Sequence, residues 1–160
     1  MRKASFTLPK IIVPNSKNLR IAIVRTSYYP NLNNNLETYC RQTLQHYGIH
    51  PKNITTFIAP GSWEIPLITK KIVQTGQYAA IVTFGIIVKG ETHHFDMIVN
   101  AATTALMQLS LQYGIPIAME ILAVYDLETA QARAGKNNAN KGIEGALAVL
   151  KTLKTLKEIR

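Results

Sequence analysis

Gly85-Ile86-Ile87-Val88-Lys89-Gly90-Glu91-Thr92-His93-His94-Phe95-Asp96 joins two segments of opposite character, and its reading decides the fold. Upstream, Tyr78-Ala79-Ala80-Ile81-Val82-Thr83-Phe84 is a short apolar run rich in β-branched residues. That composition, bounded by Gly76 and Gly90, predicts a strand buried on both faces. Downstream, Met97, Val99 or Asn100, Thr103 or Thr104 and Met107 recur at helical spacing. The joint is therefore strand, Gly-bearing loop and helix start, and it carries two adjacent histidines. In open α/β sheets ligands sit outside the carboxyl ends of the strands. Free N–H groups at a helix start favour an anion, and a histidine beside them can move protons near neutral pH. A histidine at a helix start also serves as a plain polar surface residue, so this stretch needs support from the rest of the chain.

A length of 160 residues fits one domain with a substantial core. Hydrophobic residues make up 47% and charged residues 17%, which describes a globular protein with few interior charges. A single cysteine, Cys40, excludes an internal disulfide framework and fits a reducing cytoplasm. The first residues, Met-Arg-Lys-Ala-Ser-Phe, lead into no continuous apolar segment, so no signal peptide is expected. Between Asp96 and Glu120 lie 23 residues without a charge, long enough to suggest a membrane span. Scattered Asn, Thr, Gln and Ser, with Gly114 and Pro116 as breakers, read instead as a buried helix running into a buried strand.

The formal net charge is +9. Residues 1–20 contribute +5 and residues 151–160 contribute +3, leaving +1 for the 130 residues between. Nucleic-acid binders concentrate charge on a recognition element. Here it sits on the two ends, so solvated termini and no specific nucleic-acid partner are expected, with non-specific attraction to polyanions left open.

Taken in order, residues 1–19 read as an irregular arm in which Ile11-Ile12-Val13 can add a strand to a neighbour's edge. Residues 20–160 read as one domain. Strands are expected at 20–26, 54–58, 78–87 and 115–122. Helices are expected at about 33–47, from the 60–66 turn to 75, at 93–113, 126–134 and 140–159. The asparagines after Pro30 suit capping of the first helix. Alternation of strand and helix implies right-handed crossovers, a four-stranded parallel sheet and a three-layer α/β/α sandwich of the flavodoxin-like kind.

A parallel sheet gathers the strands' C-terminal loops along one rim. Tyr28 and Tyr29 follow strand one and suit stacking on a planar ring. Ser62, Trp63 and Glu64 follow strand two at a helix start, where N–H groups and a carboxylate can bind hydroxyls. Arg133, with Lys136 and Lys141 nearby, follows strand four and suits phosphate. Each has a plainer reading: Tyr28 as loop cover, Trp63 as packing, Glu64 as a first-turn charge and Arg133 as a helix C-terminal cation. Jointly they favour a site for a flat, hydroxylated molecule and a phosphate. His93 and His94 point about 100° apart on a helix and no Cys or Glu-x-x-His pattern accompanies them, so no metal is expected. Nucleophile-elbow, P-loop and dinucleotide fingerprints are absent from the sequence.

Three blocks in register resemble the lumazine synthase family over residues 20–158. Pro60-Gly61-Ser62-Trp63-Glu64-Ile65-Pro66 resembles its Pro-Gly-(Ala/Ser)-(Phe/Trp)-Glu-(Ile/Leu)-Pro block. Lys89-Gly90-Glu91-Thr92-His93-His94-Phe95-Asp96 is similar to its (Lys/Arg)-Gly-x-Thr-x-His-(Phe/Tyr)-(Asp/Glu) block, and Arg133-Ala134-Gly135 with Asn140-Lys141-Gly142 resembles its third. The resemblance implies condensation of 5-amino-6-(D-ribitylamino)uracil with 3,4-dihydroxy-2-butanone 4-phosphate, the penultimate step of riboflavin synthesis, without metal or cofactor. It implies His94 as general acid/base and Tyr28 on the pyrimidine. Ser62, Trp63 and Glu64 fall on the ribityl hydroxyls, and Ile87 and Val88 offer backbone groups to the ring. Gly90, Glu91, Thr92 and Arg133 fall on the phosphate, Glu91 through its N–H. Met119 stands where a neighbouring subunit usually presents Phe, and the lysine after Gly135 is displaced by one position. The family's sites lie between subunits, so a cytoplasmic homo-oligomer is implied, a pentamer or a multiple of it. The alternatives are a riboflavin synthase of the archaeal homologous type, against which Arg133 speaks, and a non-catalytic lumazine-binding or shell-forming homologue.

Overall fold

The computed structural model describes residues 7–159; the expectations placed on Arg2, Lys3 and Arg160 lie outside them. Four strands form one sheet: β1 (Ile21–Thr26), β2 (Ile54–Ala59), β3 (Ala80–Val88) and β4 (Ile117–Val124). All pairs are parallel, in the order β2-β1-β3-β4. The helices are α1 (Pro30–His46), α2 (Ile65–Gln74), α3 (His94–Tyr113), α4 (Leu127–Ala134) and α5 (Lys141–Glu158). The expected α/β/α sandwich is what forms.

Its two cores follow from strand periodicity, since neighbouring side chains point to opposite faces. Ile21, Ile23, Val82 and Phe84 meet Leu36, Cys40 and Leu44 of α1 and Ala146, Val149 and Leu150 of α5. Ala22, Val24 and Ile81 meet Ile65 and Ile72 of α2 and Ala102 and Leu106 of α3. Helices α1 and α5 touch almost backbone to backbone. A Cβ on Gly142 would stand 2.1 Å from the Leu36 carbonyl oxygen, so no other residue fits there.

Several boundaries differ from expectation. Helix α1 begins at Pro30, three residues early, because proline's fixed φ and missing N–H suit the first helical position. The asparagines do not cap it: Tyr29 holds the cap position without a side-chain bond, and Asn33 is turned inward and fully buried. Strand β4 starts at Ile117 rather than 115. The N–H of Ile115 still closes helix α3 by donating to the Ser110 carbonyl, and Pro116 has no N–H to give. Residues 7–13 form no strand within the chain. They fold back, with Val13 buried and the Pro9 carbonyl accepting from the Tyr47 hydroxyl at 2.6 Å.

Two carboxylates outside the rim have opposite surroundings. Burial alone would raise the Glu37 carboxyl, but hydrogen bonds from Thr56, Arg41 and Arg25 outweigh it and hold the group below its usual value. Glu120, half-buried on β4, faces α5. Burial first and then the nearby Glu144 carboxylate push it up to about 7, against the opposing pull of Lys141. Glu37 therefore stabilises the fold above its unfolded value, a contribution lost as pH falls. Glu120 works the other way: its raised folded value makes its contribution complete at low pH and lost as pH rises towards 7. We expect the melting temperature to decline between about pH 5 and pH 8. Glu120→Gln should flatten that decline, as thermal melts across the range will read; an unchanged slope in the variant contradicts the assignment.

Candidate active site

At the C-terminal ends of β1, β2 and β3 lies a crevice of about 640 Å³. Its place follows from the topology. The chain goes from β1 outward to β2, then crosses to β3 on the other side, so the connections diverge between β1 and β3. Strand β3 also outruns β1. The β1 pairing ends at Phe84, whereas pairing with β4 continues through Val88. The β1-facing edge of residues 85–88 therefore has no strand partner among the described residues, and Ile86, Ile87 and Val88 line the crevice.

The end of β1 contributes Thr26, the loop after it Tyr28 and Tyr29, and the loop after β2 Pro60 to Glu64. These loops are tied together: Ser27 donates its N–H to the Ala59 carbonyl and its hydroxyl to the Pro60 carbonyl, at 3.0 and 3.1 Å. Tyr28 and Trp63 are 65% and 60% exposed. Rings left this open are not core packing, which removes the plainer reading of Trp63. Ser62 is buried beneath them. It fits because Gly85 has no side chain; a Cβ there would meet the Ser62 Oγ at 2.6 Å. Gly61 separates the Glu64 carboxylate from the Tyr28 ring, its Cβ position lying 3.2 and 3.6 Å from them.

Helix α3 opens on the third side with His94, Met97 and Ile98. His94 is exposed at the first helical position, and its N–H reaches the Thr92 hydroxyl at 3.4 Å. His93 occupies the cap position and does not line the crevice. Among the described residues no group of three His, Cys, Asp or Glu converges as a metal would require.

The structure thus brings together Tyr28, Ser62, Trp63, Glu64, Ile87, Val88 and His94. It leaves the other expected residues outside the crevice within one chain. Gly90, Glu91 and Thr92 form an exposed loop beside it. That loop is anchored by Lys89, whose N–H donates to the Val124 carbonyl at 2.8 Å and whose ammonium lies 5.4 Å from the Tyr125 ring centre. Arg133 is exposed on the last turn of α4 and makes no ion pair among the described residues. Met119 sits mid-strand on β4 opposite Thr83 and is 43% exposed. Thr26, Met97 and Ile98 line the crevice without having been singled out. Only their positions beside a strand end or one turn into α3 could have marked them.

A family model for 6,7-dimethyl-8-ribityllumazine synthase matches residues 18–157. Curated proteins of that name are similar over most of their length. One from Leuconostoc mesenteroides is 35% identical over 143 residues, covering 89% of this chain and 92% of the relative. One from Xanthomonas campestris pv. campestris is 37% identical over 129 residues, covering 81% and 84%. One from Stenotrophomonas maltophilia is 35% identical over 132 residues, covering 82% and 85%.

The packing around the crevice makes a test that needs no ligand. Tyr28→Ala and Trp63→Ala should each shift the melting temperature by only about 1–2 °C, as exposed substitutions do. Gly85→Ala should lower it by roughly 3–10 °C, because overpacking at a close contact costs about 1–3 kcal/mol. Equal losses at all three would mean that the rings belong to the core.

Proposed function

Because the chain belongs to the 6,7-dimethyl-8-ribityllumazine synthase family, we propose that it condenses 5-amino-6-(D-ribitylamino)uracil with 3,4-dihydroxy-2-butanone 4-phosphate. The observation that carries this reading is the convergence of Tyr28, Trp63, Glu64 and His94 on one crevice at the strand ends. Tyr28 stacks on the pyrimidine, and the unpartnered edge of Ile87 and Val88 hydrogen-bonds its polar rim. Ser62, Trp63 and Glu64 hold the ribityl hydroxyls. The N–H groups of Gly90, Glu91 and Thr92, beside the start of α3, bind the phosphate together with Arg133.

The free amine attacks the ketone carbonyl to give an imine and one water. Loss of phosphate and closure by the second nitrogen, with a second water released, complete the pteridine ring. Each stage moves a proton, and His94 at the mouth of α3 is placed to carry it. One positioned base contributes about 10²–10⁴-fold; holding two substrates in register supplies much of the remainder. No step calls for a metal or an organic cofactor.

The protein works as a cytoplasmic homo-oligomer, a pentamer or a multiple of it. Two features support this. Arg133 and Met119 lie outside their own chain's crevice, so an adjoining copy has to present them to it. Met97, Met107 and Leu111 of α3 are 65, 62 and 76% exposed and Met119 of β4 is 43% exposed, apolar side chains that a neighbouring copy would cover. In the arm, Ile12 is 70% exposed, and on the free edge of β2 Ile58 is 50% exposed, which supports pairing of residues 7–12 with a neighbour's β2.

His94→Ala should lower kcat by roughly 10²–10⁴-fold with little change in KM, followed by the absorbance and fluorescence of the lumazine formed. Arg133→Gln should instead raise KM for the phosphorylated substrate by about 10–100-fold. Unchanged turnover in the His94 variant rejects its role. Failure of the wild-type protein to turn over the two substrates at all favours a lumazine-binding or shell-forming role, and formation of riboflavin from lumazine favours the riboflavin synthase reading.

A further inference from the structure

Tyr29 adopts φ 46° and ψ 60°, in the left-handed region, where the chain turns into α1. Among the described residues the other non-glycine with positive φ is Asn15, and asparagine tolerates this region far better than a bulky aromatic. Glycine would take the conformation without steric cost. A tyrosine there is strained, and such strain persists only where the surroundings enforce it.

Asn33 supplies the enforcement. It is fully buried one turn into α1, and its side chain reaches back towards the loop. Its Nδ2 donates to the Tyr28 carbonyl at 2.6 Å and to the Thr26 hydroxyl at 3.2 Å. Meanwhile the Tyr29 carbonyl accepts from the N–H groups of Leu32 and Asn33, at 3.1 and 3.0 Å. A carbonyl can only accept, so the amide orientation is fixed by its partner. That orientation leaves the Asn33 Oδ1 buried with no partner among the described residues. A buried unmet acceptor is costly. The chain tolerates it for the sake of the two bonds that the amide nitrogen makes.

We propose that Asn33 is a positioning residue for the condensation: it clamps the Tyr28–Tyr29 turn in its strained form, so that both rings stand as walls of the pyrimidine berth. The proposal rests on the reading that Tyr28 stacks on the pyrimidine. Both tyrosines line the crevice, and their rings, 65% and 39% exposed, have little packing to aim them. Their direction is therefore set by the backbone, and the backbone by Asn33. A berth held ready in this way spares the substrate the cost of ordering the loop. The effect should fall on substrate binding rather than on proton transfer, since His94 stands on a different element.

A double-mutant cycle between positions 33 and 29 tests this. Asn33→Ala should raise KM for the ribitylaminouracil roughly tenfold, with kcat changed by less than about threefold. Tyr29→Gly should raise the melting temperature, because it removes the strain. In the Tyr29→Gly background, Asn33→Ala should raise KM by less than about threefold, since glycine enters the left-handed turn without strain and leaves the clamp less to enforce. If Asn33→Ala does not fold, Asn33→Leu fills the same volume without a donor and serves in its place. An Asn33 effect of equal size in both backgrounds, a fall in kcat at unchanged KM, or no effect at all would overturn the proposal. Tyr28→Ala is the control: if it leaves KM unchanged, the stacking reading fails, whatever the cycle shows.

Discussion

The four residues by which β3 outlasts its pairing with β1 are the constraint on which the site depends. A parallel sheet leaves its polar backbone unsatisfied wherever one strand ends before its neighbour. Here that unsatisfied edge is set at the floor of an open crevice, at the point where the chain's connections part to opposite sides. The crevice and the strand mismatch thus share one origin. The surrounding parts conform to it: Gly85 keeps the β3 backbone bare so that Ser62 can lie against it, and Gly61 keeps Glu64 clear of the Tyr28 ring.

Rigidity beneath the crevice comes from the opposite layer. Helices α1 and α5 meet at Gly142, and α1 is pinned at its start by the Asn33 amide and in its middle by the Arg25–Glu37–Arg41 cluster. The same helix therefore carries the core on one side and fixes the aromatic loop at its end. Exposed groups are left to the mouth of the site. His94, Trp63, the loop of Gly90 to Thr92 and Arg133 are all open to solvent in a single chain. A neighbouring subunit over that mouth would exclude water and strengthen every charge interaction there.

Much of this was legible in the residues. The β-branched run of 78–84 specified the central strand, and the Gly-bearing loop into His94 marked the rim. Boundaries were less so. Pro30 moved the start of α1 because proline favours the first helical position over the asparagines behind it, and Pro116 delayed β4 by denying it an N–H. Asn33 looked like one polar residue among several, because inward rotation of a side chain leaves no trace in composition. Arg133 was read as sharing a rim with Tyr28, whereas in one chain it stands outside the crevice on the last turn of α4. A sequence shows that loops face the same way, but not how far each side chain stands from the crevice they border.

Subunit complementation tests the central claim, a crevice completed by an adjoining chain, most directly. On this account His94→Ala and Arg133→Gln chains should each be impaired alone, yet co-assembly should create interfaces that pair an intact His94 with an intact Arg133. Co-expressed oligomers carrying both variants should regain turnover in about a quarter of their sites, far above the sum of the separate proteins. Hybrid oligomers no more active than the average of the two parents would mean that each site is built within one chain, and the account would fail.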